Sequence, residues 1–186
     1  MGVMSKESSP SCLVKAWELQ FVRHCARLAH SRRGSALAVA VTKLDNGWLY
    51  PPLAVALVAA AGARAWPAVL AGGISIAVGQ GILVTLKRWC GRSRPCDTAA
   101  ELECLLPVQD SNSFPSGHMM TLTTAMASVL LVCPILAWAA GPLWALMAWA
   151  RMACGHHYPS DVLAGTALGL LVYYAVLLLA IGTDLV

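Results

Sequence analysis

The sequence predicts an all-α, polytopic membrane bundle of about five transmembrane helices, with an amphipathic helix lying in the interface before them. Three observations predict it. Of 186 residues, 58% are hydrophobic and only 12% are charged, with a mean hydropathy of +0.66. A soluble domain carries roughly 25% charged residues and could hardly hide so much apolar surface. Long stretches carry no Asp, Glu, Lys or Arg, and the cations, acids and histidines gather at the ends of those stretches. The length suits one membrane domain, read as 47–186, behind a basic N-terminal segment, 1–46. No nucleic-acid partner is expected.

Taken in order, residues 1–33 do not read as a secretory signal, because charges are spread through them and no compact apolar core interrupts them. In the stretch from Cys12 to His30, Leu13, Trp17, Phe21, Cys25 and Leu28 recur at three- and four-residue steps, one apolar helical stripe. Lys15, Glu18, Arg23 and Arg27 sit off it. That charge density argues against spanning and fits a helix in the headgroup layer; the competing reading packs it on the protein's own loops. Ser35 to Leu44 reads as a second short helix, ending at the turn-forming Asp45-Asn46-Gly47. Trp48 to Ala63 is a short candidate span entered through Pro51–Pro52. Ala65 to Leu86 and Val162 to Thr183 are long enough to cross. Met119 to Ala150 is too long for one span and contains Pro134 and Gly141–Pro142, so it reads as two joined helices, 116–134 and 140–154. The loop from Trp89 to Phe114 suits irregular structure.

Three stretches then hold five of the thirteen Lys/Arg residues and three of the five histidines. In the third, Arg151 to Asp161, His157 and Asp161 stand one helical turn apart, so a carboxylate can hold the imidazole N–H and fix which nitrogen is free. Pro159 suits an early helix position and Asp161 the first turn. In the second, Pro115-Ser116-Gly117-His118 precedes an apolar run. Ser116 is a natural N-cap, Gly117 permits close backbone approach, and a helix N-terminus is a seat for an anion. In the first, Lys87 and Arg94-Pro95 supply cations, with Arg92 between them. Singly, each has a plain explanation: N-capping, interfacial anchoring, or snorkelling at a helix end.

Together these residues resemble the type 2 phosphatidic acid phosphatase superfamily, whose signature is Lys-x6-Arg-Pro, Pro-Ser-Gly-His and Ser-Arg-x5-His-x3-Asp. The order and every internal spacing match over about residues 45–180; Ala150 stands where the family often has Ser. The resemblance implies a small bacterial membrane enzyme that hydrolyses a lipid phosphate. It implies His157 as nucleophile forming a phosphohistidine, Asp161 orienting it, and His118 as general acid and base. Lys87, Arg94, Ser116, Gly117 and Arg151 would hold the phosphate oxygens. No cofactor and no metal is implied, and the acidic loop residues Asp97, Glu101, Glu103 and Asp110 do not make a convincing cation site. Phosphatidic acid, phosphatidylglycerophosphate and polyisoprenyl phosphates or diphosphates all suit such a site. A phosphotransferase, or a protein that only binds anionic lipid, are the competing functions; the second would not need the His157–Asp161 pair.

If residues 12–30 do not cross, the motif face carries nearly all the cations and the other face only Arg64, which places the site on the cytoplasmic side of a bacterial plasma membrane. Cys12, Cys25 and Cys133 read as small apolar residues, whereas Cys90, Cys96, Cys104 and Cys154 lie near the motifs and pair only if that face is oxidising.

Overall fold

The computed structural model describes residues 16–108 and 110–182. Among them there are helices and no strand: α1 (Ala16–Leu28), α2 (Arg32–Leu44), α3 (Tyr50–Ala61), α4 (Trp66–Cys90), α5 (Pro95–Thr98), α6 (Gly117–Val132), α7 (Ala137–Ala153) and α8 (Pro159–Gly182). By length and composition, Tyr50–Thr98 and Pro159–Gly182 are apolar enough to cross a membrane, and Gly117–Val132 is a shorter apolar helix. α4, α6 and α8 pack mutually as the centre of the bundle, and α7 joins α6 and α8 at its side.

Proline sets most of the boundaries. α3, α4 and α8 each carry proline in their first turn, where a missing N–H costs nothing. The expected break between α6 and α7 falls at Pro134, in a 3-10 turn over Pro134–Leu136. The second helix of that pair starts at Ala137 rather than 140, so Pro142 is its sixth residue instead of lying in its first turn. α3 spans 12 residues, about 18 Å, which is shorter than the hydrocarbon core of a bilayer. It lies apart from the central three helices, touching the bundle through α6 and leaving an apolar groove against α4.

The N-terminal helices combine both expected readings. Trp17, Phe21 and Leu28 are exposed, Trp17 at 52%, as a lipid-facing stripe requires. Cys25, assigned to that stripe, is instead buried with Val22 and Ala29 against α7. Glu18 is buried as well, at 2% exposure. Thus α1 packs one face on α7 and leaves an apolar stripe exposed on another, and α2 packs beside it on α7. Cys12, Leu13 and Lys15 lie outside the described residues. α2 begins at Arg32, earlier than expected, because Ser31 caps it by accepting from Gly34 N at 3.0 Å.

Candidate active site

The third motif is built by the passage from α7 to α8. Arg151 sits in the last turn of α7, and the chain reverses at Gly155, whose φ of +71° only glycine adopts cheaply. His157 and Tyr158 follow, fully packed, and α8 starts at Pro159. Asp161 is the third residue of α8, and its Oδ2 accepts from Tyr158 N at 2.8 Å, the carboxylate half of a capping box. The helix start thereby fixes the acid.

Main-chain bonds lock the other motifs onto this turn. Ser116 N donates to Asp161 O at 3.0 Å, Cys96 N to Gly155 O at 3.1 Å, and Arg94 Nη1 to His156 O at 2.9 Å. Gly165 makes this fit possible: a β-carbon there would run into the Ser116 carbonyl oxygen. Ser116 occupies the N-cap position of α6 but its side chain makes no capping bond, contrary to expectation. Its backbone is held by α8 instead, and its Oγ is buried without a hydrogen-bond partner.

His157 has a defined tautomer. Its Nδ1 lies 2.8 Å from Ser113 O, and a carbonyl only accepts, so Nδ1 carries the proton. Asp161 Oδ2 stands farther off, at 3.7 Å. The expected carboxylate–imidazole bond is therefore supplied first by the Ser113 carbonyl, with the acid as a nearby charge. Nε2 keeps its lone pair and faces Arg151 Nη2 at 3.1 Å. Burial, then the facing Arg151, Arg94 and Lys87, hold this imidazole well below its usual range, so it is neutral at pH 7. His156 is also pushed down, to about 4, by burial and then Arg151; its Nε2 donates to Leu106 O at 3.0 Å. His156 is thus engaged by Leu106, whereas His157 is the histidine that stands 3.7 Å from Asp161, which removes the ambiguity of the double histidine.

Six of the eight expected residues line one cavity of about 800 Å³: Lys87, Arg94, Gly117, His118, Arg151 and His157. Ser116 and Asp161 lie behind its wall, both fully buried. The same cavity continues between α3, α4 and α6 past Leu57, Ile76 and Val129, so one end is cationic and the rest apolar. Three side chains were not legible as site residues. Asn46 Oδ1 lies 3.0 Å from His118 Nε2, so the side-chain amide holds this ring in place. Asp110 Oδ1 accepts from Lys87 Nζ at 3.1 Å and Arg94 Nη2 at 2.9 Å. Burial works against the Asp110 carboxylate, but these two cations prevail and hold it below its usual range. Arg92 lies behind the site, bonded to Asp161 Oδ1 at 2.6 Å. Asn46 had read only as a turn residue and Asp110 only as loop.

The family model described as the PAP2 superfamily matches residues 68–181. The chain belongs to the PAP2 superfamily. Decaprenylphosphoryl-5-phosphoribose phosphatase of Mycobacterium tuberculosis is 37% identical over 128 residues, 66% of each chain. Undecaprenyl-diphosphatase of Sulfolobus acidocaldarius is 35% identical over 77 residues, 41% of this chain and 37% of its own. The match to the mycobacterial PAP2 relative thus spans just under two thirds of its length. Two crystal structures share the architecture. Aquifex aeolicus LpxE has a TM-score of 0.72 over 88% of this chain and 96% of its own, at 22% identity. The transmembrane PAP2-type phosphatidylglycerolphosphate phosphatase of Bacillus subtilis has a TM-score of 0.67 over 89% and 87%, also at 22% identity. The fold, an all-α integral-membrane bundle, agrees with that expected from the sequence.

Proposed function

We propose that this protein is an integral-membrane lipid phosphatase, with the chemistry carried by 47–186 and its five apolar helices crossing as five spans. The observation that carries the reading is the shape and charge of the cavity. Lys87, Arg94 and Arg151 are at most 8% exposed and share their cavity with two acidic side chains, Asp110, bonded to Lys87 and Arg94, and Asp45, which burial raises to about 7. Desolvated cations in such excess call for an anion. Arg151 Nε, buried without a partner, offers a further donor. The apolar remainder of the cavity suits the tail of an amphiphile.

The neutral Nε2 of His157 attacks phosphorus as the bond to the leaving oxygen breaks, and His118 gives that oxygen its proton. The imidazole, now positive, keeps Nδ1–H on the Ser113 carbonyl and gains from the Asp161 charge. His118 then takes a proton from water, which attacks phosphorus and releases inorganic phosphate from His157. Lys87, Arg94, Arg151 and the Gly117 N–H hold the equatorial oxygens throughout. No step needs a metal or cofactor. Relatives named for decaprenyl- and undecaprenyl-linked phosphates favour a polyisoprenyl substrate over phosphatidic acid or phosphatidylglycerophosphate.

The test is phosphate release by purified protein in detergent with excess chelator, over a panel of prenyl and diacyl lipid phosphates, beside His157→Ala. Release that resists the chelator and is lost in the variant is expected. Equal activity in the two proteins would remove His157 from the chemistry, and transfer to an added alcohol instead of water would make the protein a phosphotransferase.

The side of the membrane is a separate matter. The N-terminal cations favour the cytoplasm, but Cys96 and Cys104 are disulfide-bonded on the motif face, and Cys90 is disulfide-bonded too. Thiols do not stay paired on a reducing face, so the pairing supports a site on the oxidising side of a plasma membrane, against the charge bias. In intact cells, Cys104 should take an impermeant maleimide only after an impermeant reductant. Labelling only after lysis would return the site to the cytoplasm.

A further inference from the structure

We propose that Glu18 and Arg92 are positioning residues for the His157–Asp161 pair, so that the N-terminal helix completes the site; the inference rests on the phosphatase reading. Neither residue belongs to the signature that assigns Lys87 and Arg94. Both are buried, although Glu18 lies on a helix with exposed faces where a carboxylate could have met water. A buried charge is costly unless it is paired and bonded, and this one is bonded fully. Arg92 Nη2 lies 2.7 Å from Glu18 Oε2, and Nη1 lies 2.6 Å from both Asp161 Oδ1 and Ser160 Oγ. Glu18 Oε1 accepts from Ser160 N at 3.1 Å and from the Ser160 hydroxyl. The guanidinium carbon stands 4.3 Å from the centre of the Tyr158 ring, which fixes the plane of the fork.

The arrangement sets both the place and the charge of Asp161. One guanidinium serves two carboxylates, so Asp161 keeps part of its negative charge for the imidazolium that forms when His157 bonds phosphorus. Remove the Glu18 charge and Arg92 is balanced by Asp161 alone, which weakens that support. The same change frees the first turn of α8 from α1, and that turn carries Asp161. Neither residue lines the cavity, so binding of a ground-state phosphate is untouched. The effect belongs to the step in which His157 becomes positive.

The experiment is binding of orthovanadate and of inorganic phosphate to the purified full-length protein by calorimetry, with kcat and KM measured alongside. Orthovanadate bonds the histidine nitrogen in a five-coordinate geometry; phosphate only occupies the cations. In Glu18→Gln, orthovanadate affinity and kcat should both fall about tenfold, the equivalent of one pKa unit at the histidine, while phosphate Kd and KM stay within about twofold. Equal weakening of both anions, or no change in either, overturns the proposal in favour of a packing role. If Glu18→Gln does not fold, Arg92→Lys carries the test: it keeps the charge but cannot bridge two carboxylates, and should show the same split. The vanadate readout does not need turnover. Wild-type protein that binds vanadate but releases no phosphate would sink the phosphatase reading while still deciding this one.

Discussion

Asp110 places a carboxylate where a phosphate oxygen would be welcome. It bonds both Lys87 and Arg94, yet its side chain is 45% exposed and sits on a loop, so it competes for these cations without being committed to them. Asp110→Asn should bind inorganic phosphate more tightly, by roughly tenfold for one charge-assisted contact released, read as a lower inhibition constant for product. Unchanged inhibition would show that the carboxylate makes way at no cost. Asp45 is a different case. Tyr50 OH donates to its Oδ1, Arg151 is near, and still burial raises it to about 7. A carboxyl bound to its proton more tightly when folded stabilises the fold below its ordinary value of 3.8, and that contribution is lost as pH rises toward 7. Asp45→Asn should therefore lose less stability between pH 4 and 7 than wild type, measured by thermal unfolding in detergent. Parallel curves would assign the pH dependence elsewhere.

At the scale of the helix, α8 carries the alignment. Its first turn holds Asp161, and its second approaches the Pro115-Ser116-Gly117 segment so closely that Gly165 has no room for a side chain. Gly165→Val should push α8 from α6, cost about 1–3 kcal/mol by overpacking, and lower kcat with it, because His118 and His157 ride on the two separated elements. Full activity with normal stability would show that the contact is slack. Much of this element level was readable in advance. Proline marked the starts of α3 and α8 and the break after α6, since its chemistry is local, and the uncharged run from Ala65 marked α4. The N-terminal stripe was readable only in part. Spacing shows that Glu18 lies off the apolar face, but α1 has two distinct faces, one exposed and one packed on α7, and a helical wheel does not say which of them takes the polar side.

Across the whole molecule, the residues lining the cationic end of the cavity were legible because each carries its chemistry in its own type and spacing. Their supports were not. His118 meets Asn46 across 72 positions and His157 meets the Ser113 carbonyl across 44, and no local pattern announces a partner so distant. The Ser116 hydroxyl shows the converse: the sequence correctly placed it at a helix start, and the cap it implies is displaced by a tertiary bond from its own N–H to α8. The side of the membrane is where the two levels part. Charge counts favour the cytoplasm and treat the cations as independent, whereas the Cys96–Cys104 pairing that argues for the other face depends on a loop geometry seen only in three dimensions.

The depth of the cations has a practical consequence. Mobile ions in solution weaken an attraction by gathering round the charges, over about 8 Å at physiological ionic strength, and they can do so only where water reaches. An exposed pair such as Arg23–Glu101 is open to them. Lys87, Arg94 and Arg151 are not, so dissolved salt reaches a headgroup on its way to the cavity and ceases to matter once it is seated.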